Sequence, residues 1–279
     1  MTKNPDKPIT KLRYYPTWGA AIHLMVLYIF IGALFEFPLS IWDYHHDTML
    51  SDDPWIKIPL LFGAMLFILI YGFLKTGDIF RNVFALKWFN PLVLIPLITL
   101  IAGVQFFLGY MNFWVQQLIP VPSWMMELFE RVINPDTPLI PDLIKVVVIA
   151  PVFEEMLFRG IILYGLERNY KPWIAIFVSA LLFALFHLNP WQFPATFLLG
   201  LVLALMRIRT KSFIPCILGH SIHNFLVFLA VTYEEKYFAI EQIKLGVKTN
   251  NLLWGTVIIS SLILIFFITM NRKRNLKRY

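Results

Sequence analysis

The chain has 279 residues, 58% of them hydrophobic and 15% charged, where a soluble domain runs at about 45–50% and about 25%. That balance excludes an ordinary water-soluble enzyme and predicts a protein that crosses the membrane several times. The net charge of +7 does not argue for nucleic acid, because the basic residues fall between apolar runs, and a single cysteine, Cys216, excludes an internal disulfide and a four-cysteine metal site.

The N-terminal MTKNPDKPITKLR is polar and basic, and no small-residue cleavage site follows the first apolar run, so no cleavable signal peptide is expected. Runs long enough to span a bilayer, about 17–25 residues each, lie near 16–39, 55–74, 90–119, 139–166, 172–188, 191–208, 213–232 and 252–270. The expected fold class is therefore all-α, a polytopic transmembrane bundle of about eight helices. Loop charge orients it, since Lys and Arg stay on the cytoplasmic side. Lys3, Lys7, Lys11 and Arg13 precede the first span, and Lys75, Arg81 and Lys87 follow the second. Arg168 and Lys171, then Arg207, Arg209 and Lys211, follow the fourth and sixth, and five basic residues end the chain. The first connection, IWDYHHDTMLSDDPW, has four aspartates and no Lys or Arg. Both termini are thus placed in the cytoplasm of a multi-pass cell-membrane protein.

Two connections carry helical periodicity of their own. Ile79, Phe80, Val83 and Phe84 form one stripe, and Trp124, Met125, Leu128, Phe129 and Val132 another, so both are expected as amphipathic helices at the interface. No repeat or low-complexity linker divides the chain, so residues 1–279 are read as one integral membrane domain.

The fourth span contains Glu154, Glu155 and Arg159. An ionisable group at bilayer depth costs roughly 2.5–3.5 kcal/mol even on the lenient insertion scale. Three together demand a function or a partner. Glu155 and Arg159 are four apart and share a helix face, so they can pair. Glu154 points about 100° away and needs another neighbour. At about 1.5 Å per residue, Glu154 lies about 21 Å from Arg168, His187 about 22 Å from Pro172, and Asn224 about 20 Å from Lys211. His220 comes out at about 14 Å, one turn from Asn224 on the same face. Three spans thus bring Glu, His, His and Asn to similar levels.

Water activation is the chemistry this set suits. A carboxylate in a dry pocket is a stronger base than one in water, and a neighbouring histidine can share the water or relay its proton. A second histidine and an amide can donate to the oxyanion of an attacked carbonyl. Alternatively Glu154, His187 and His220 could ligate zinc, although the HExxH signature is absent. His223 is read as helix packing or a group that supports the site from behind, Glu36 and His23 as near-interface residues, and Cys216 as a small core residue. His45 and His46 fall in the acidic external loop.

Glu154-Glu155-Met156-Leu157-Phe158-Arg159, Phe183-Ala184-Leu185-Phe186-His187 and His220-Ser221-Ile222-His223-Asn224 resemble, in order, the EExxxR, FxxxH and HxxxN motifs of the CPBP family, which comprises CAAX proteases and Abi-type intramembrane proteases. The resemblance covers residues 138–232, the expected catalytic core. It implies an intramembrane endopeptidase in which Glu154 is the base and His187 helps hold the water. His220 and Asn224 make the oxyanion site, and Glu155 and Arg159 order it. The partners implied are a peptide or protein substrate and the lipid bilayer, with no nucleic acid. The family's site looks closer to a glutamate protease than to one with obligatory zinc. Two readings from other classes compete: a non-catalytic binding or immunity protein of the same fold, and a proton-coupled transporter. The absence of a repeat counts against the transporter.

Overall fold

A computed structural model describes residues 14–51, 53–123, 139–232 and 251–275. The second predicted amphipathic stripe, Trp124 to Val132, falls outside the described residues. Among those described, every regular element is helical: α1 (Trp18–His46), α2 (Pro54–Thr76), the single turn α3 (Phe80–Val83), and α4 (Leu94–Leu118) after a 3₁₀ turn at Pro91–Val93. Then come α5 (139–169), α6 (Pro172–Phe186), α7 (Phe193–Thr210), α8 (Ile214–Thr232) and α9 (Asn251–Asn275). Each of the eight apolar runs is a helix.

Local chemistry explains where they start and stop. Thr17 accepts from the Ala20 amide to open α1, and Asp53 accepts from Trp55 N to open α2, with Pro54 in the first turn. Gly77 closes α2 in the left-handed region at φ 63°, where a side chain would be strained. Pro172 and Pro194 stand in the first turns of α6 and α7.

Helix α5 is the centre of the bundle. Leu157, Phe158, Ile161, Ile162, Leu163 and Leu166 are all fully buried, so the helix is covered on every side over residues 157–166, while Ile140, Ile144 and Val148 of its first half are exposed. Around it stand α2, α6 and α8; α6 and α7 pack face to face, and α9 lies along α4. Gly200 permits the α6–α7 approach, because a Cβ there would meet the Ala180 Cα at 3.0 Å. Outward, α1, α2, α4 and α9 present Phe37, Phe67, Ile95 and Ile263, all exposed. An apolar exterior of this extent is suited to lipid rather than water. By length and composition, α1 and α7 are able to cross a membrane, and shorter apolar stretches occupy α2, α4, α6, α8 and α9.

The first amphipathic stripe is shorter and deeper than its periodicity predicts. Only one helical turn forms, and while Ile79 and Phe80 are exposed, Val83 and Phe84 enter the core. Phe84 packs on Phe73, Phe80 and Phe213. The segment seals one end of the bundle instead of only lying along its surface.

Candidate active site

The residues of the site come from α5, α6 and α8, and the backbone of α5 sets their directions. This helix is not a plain α-helix. Ile144–Ile149 and Met156–Ile162 are π-helical, and Ala150–Glu155 between them is α-helical. Glu154 and Glu155 therefore sit at the end of a short α segment held between two wider turns. Such widened turns occur often at functional sites.

Pro151 explains one consequence of the first wide turn. The Ala150 amide bonds to Lys145 O, five residues back. In that register the carbonyl of Val146 would take the amide of residue 151, but proline has none. The Asn224 Nδ2 of α8 donates to Val146 O instead, at 2.8 Å. Asn224 thus has one amide hydrogen committed to α5 and a second still to give.

Glu155 and Arg159 pair as their spacing predicts. Both are fully buried, with Arg159 Nη1 donating to Glu155 Oε1 at 2.8 Å. Arg159 Nη2 reaches across to the Gly200 carbonyl at 3.1 Å, and the guanidinium lies 4.4 Å from the centre of the Phe183 ring. The same Glu155 Oε1 accepts from His220 Nδ1 at 2.9 Å. One carboxylate oxygen thus ties α5 to α8, while its arginine ties α5 to α6 and α7.

These bonds decide how the histidines face. His187 caps α6 and places its Nδ1 2.9 Å from Phe183 O. A carbonyl can only accept, so Nδ1 carries the proton and Nε2 is turned outward. His220 is held by Glu155 in the same sense. Both Nε2 atoms then point at Glu154 Oε2, each at 3.9 Å. That oxygen is shut off from solvent and has no hydrogen-bond partner among the described residues. A gap of 3.9 Å is too long for a direct hydrogen bond and has the span of one bridging water.

The structure therefore brings Glu154, His187 and His220 together around one point, and fixes Asn224, one turn of α8 from His220, to Val146 of α5. Zinc ligands with bonds of about 2.0–2.1 Å stand roughly 3.3 Å apart in a tetrahedron, closer than the two 3.9 Å separations. Among the described residues, no three His, Cys, Asp or Glu side chains form a group that could hold a metal.

Two further groups belong to the neighbourhood. His223, read from sequence as packing or as a support for the site, is buried and lies within electrostatic reach of both His220 and His187. Tyr28 of α1 packs on Phe186 with ring centres 5.0 Å apart and planes tilted by 36°, and lies within electrostatic reach of Glu154 and Glu36. His223 was signalled by its place beside Asn224. Nothing local to α1 signals Tyr28, because its contact with the site spans more than 120 residues.

Residues 136–226 match the family described as type II CAAX prenyl endopeptidase Rce1-like. An uncharacterised 24.3 kDa protein of Escherichia coli is 32% identical over 107 residues, which are 37% of this chain and 48% of that protein. The chain thus spans about half the length of that relative. The UPF0177 protein YbdI of Lactococcus lactis subsp. lactis (strain IL1403) is 27% identical over 179 residues, 61% of this chain and 93% of its own. No solved structure matches.

Proposed function

We propose, from a chain whose residues 136–226 belong to the type II CAAX prenyl endopeptidase Rce1-like family, that it is an intramembrane endopeptidase with a glutamate base. The observation that carries this reading is the buried Glu154 Oε2, without a hydrogen-bond partner among the described residues and faced by the Nε2 atoms of His187 and His220 at 3.9 Å each. In the proposed reaction a water between Glu154 and His187 gives its proton to Glu154 as its oxygen attacks the scissile carbonyl. His220, protonated on both nitrogens with Nδ1 on Glu155, donates from Nε2 to the oxyanion, and the second hydrogen of Asn224 Nδ2 supports it. Glu155 and Arg159 hold His220 in that direction. Glu154 then returns its proton to the leaving amine, which restores the carboxylate.

The bundle that houses this site is proposed to cross the membrane eight times as one domain, both termini in the cytoplasm, its catalytic core at residues 138–232. Its substrate would be a peptide or membrane-associated protein. The family's name points to prenylated C-termini, so a prenylated peptide and its unprenylated counterpart are the two substrates to compare.

Purified protein should cleave a quenched peptide, and Glu154→Gln should lower the rate by about 10²–10⁴-fold, the range of a lost general base. Wild-type rates in Glu154→Gln would end this reading. Loss of activity with a strong chelator, restored by zinc, would replace the metal-free mechanism with the zinc alternative.

A further inference from the structure

The turn that follows His187 carries a backbone outlier that the proposed reaction does not use. Leu188 stands in the left-handed region at φ 50°, where the Cβ crowds the backbone and a bulky residue is rare. The other described residues with positive φ are Asp47, Gly77, Ala85 and Lys211. Asp47, Gly77 and Lys211 close α1, α2 and α7, and Ala85 is small. Glycine, and sometimes asparagine, is the usual residue at such a helix end. Leu188 is the one bulky apolar side chain among the five.

The bonds around it hold the chain in this conformation. Leu188 N donates to Leu185 O at 3.1 Å. The side-chain oxygen of buried Asn189 accepts from the amides of Trp191 and Gln192 at 3.0 and 3.2 Å. Trp191 Nε1 donates to Ile119 O, just past the end of α4, at 2.8 Å. Strain persists where neighbours over-determine it in this way, and it gathers at binding sites. Glycine or asparagine would make the same turn with less strain, so the turn itself does not call for leucine.

The core does not call for it either, because Leu188 is 70% exposed. Its position is beside the mouth of the site. The side chains of Glu155, Arg159 and His220 are closed off, whereas those of Glu154 and His187 are partly exposed. The site is therefore reached from the His187 side. Leu188 comes next in the chain, its Cα about 3.8 Å from that of His187. The Trp191–Ile119 bond brings the exposed Ile119 to the same turn. Contact with lipid alone does not account for the leucine, since exposed side chains such as Phe37 and Phe67 make that contact from ordinary helix. We propose that Leu188 is a specificity-determining residue. Held in the left-handed turn beside His187, it packs against an apolar side chain flanking the scissile bond of the peptide. This rests on the protease reading given above.

The test uses the full chain in detergent with Leu188→Gly and Leu188→Asn, both of which suit the left-handed turn. Two quenched peptides are compared, one with leucine and one with serine on both sides of the scissile bond. Wild type should prefer the leucine peptide. Both variants should bind that peptide about tenfold more weakly, the worth of one apolar side chain in contact, and bind the serine peptide as wild type does. In cleavage, KM for the leucine peptide should rise by the same factor at constant kcat, as for an interaction made equally in the ground and transition states. The unfolding midpoint should hold or rise, which loss of a packing residue would not give. An unchanged preference for the leucine peptide in both variants would overturn the proposal. So would a fall in kcat without a rise in KM, or a lowered midpoint in both variants. Binding is also measured with Glu154→Gln present, which separates the two readings. Wild-type cleavage by Glu154→Gln would end the glutamate-base reading, while the binding difference at Leu188 still decides this one.

Discussion

Arg159→Met isolates what the buried ion pair does for the bundle. Both Glu155 and Arg159 are fully buried, so water does not screen their 2.8 Å contact. Removing the cation leaves Glu155 with His220 as its remaining hydrogen-bonded partner, and stranding a buried charge in this way costs about 3–5 kcal/mol. The double variant Glu155→Gln/Arg159→Met should be less damaged than Arg159→Met alone. The neutral amide that Glu155→Gln introduces can still accept from His220 Nδ1, and no charge is stranded. A recovery of about 2 kcal/mol would lie within the range found for residues in contact. Reversible unfolding in mixed micelles, read by tryptophan fluorescence, gives all four corners of the cycle, and peptide cleavage by each variant tests the orientation of His220 separately. Additive losses, with no recovery in the double variant, would refute the view that the pair acts as a unit.

Two other expectations rest on separate parts of the structure. Asn224→Ala removes the donor to Val146 O and should cost about 1–3 kcal/mol, the penalty of an unmet buried carbonyl. Adding Pro151→Ala supplies a backbone amide for that carbonyl, so the double variant should regain part of the stability in the same unfolding assay without regaining cleavage. At the other end of α5, the Tyr164 hydroxyl and the Asn82 amide donate to Asp78 and hold its carboxyl below the usual carboxylate range. A depressed pKa contributes stability that is present above the unfolded value and lost as pH falls through the folded one. Tyr164→Phe should therefore be less stable than wild type near neutrality, and unfolding curves taken at falling pH should converge in acid.

The helices were legible in the sequence because each apolar run is long and ended by ordinary chemistry, such as Asp53-Pro54 before α2 and Gly77 after it. The candidate site was legible for a different reason. Glu154, His187 and His220 are costly in apolar surroundings, and their depths follow from helical rise alone. What could not be read was the backbone between them. The widened turns of α5 leave no periodic signature in Ile144–Ile149, a run of apolar residues broken only by Lys145. The exchange of a missing Pro151 amide for the Asn224 side chain needs a register that only the folded chain has. Tyr28 was hidden for want of any local signal. Val83 and Phe84 were placed too near the surface, because a short stripe does not say whether its apolar face meets lipid or protein.

The two widened turns also bear on how this chain can change in length. Each departs from the α-helical register, so α5 holds its glutamates in a phase that an uninterrupted helix would not give. A one-residue deletion within 144–149 would let ordinary α-helical bonding close. A one-residue deletion in the α-helical segment Ala150–Glu155 would instead turn everything before it by about 100° relative to the residues after it, carrying the Val146 carbonyl away from Asn224. The residues before the paired acids are thus constrained in number as well as in kind, and an insertion or deletion there would do more harm than most substitutions.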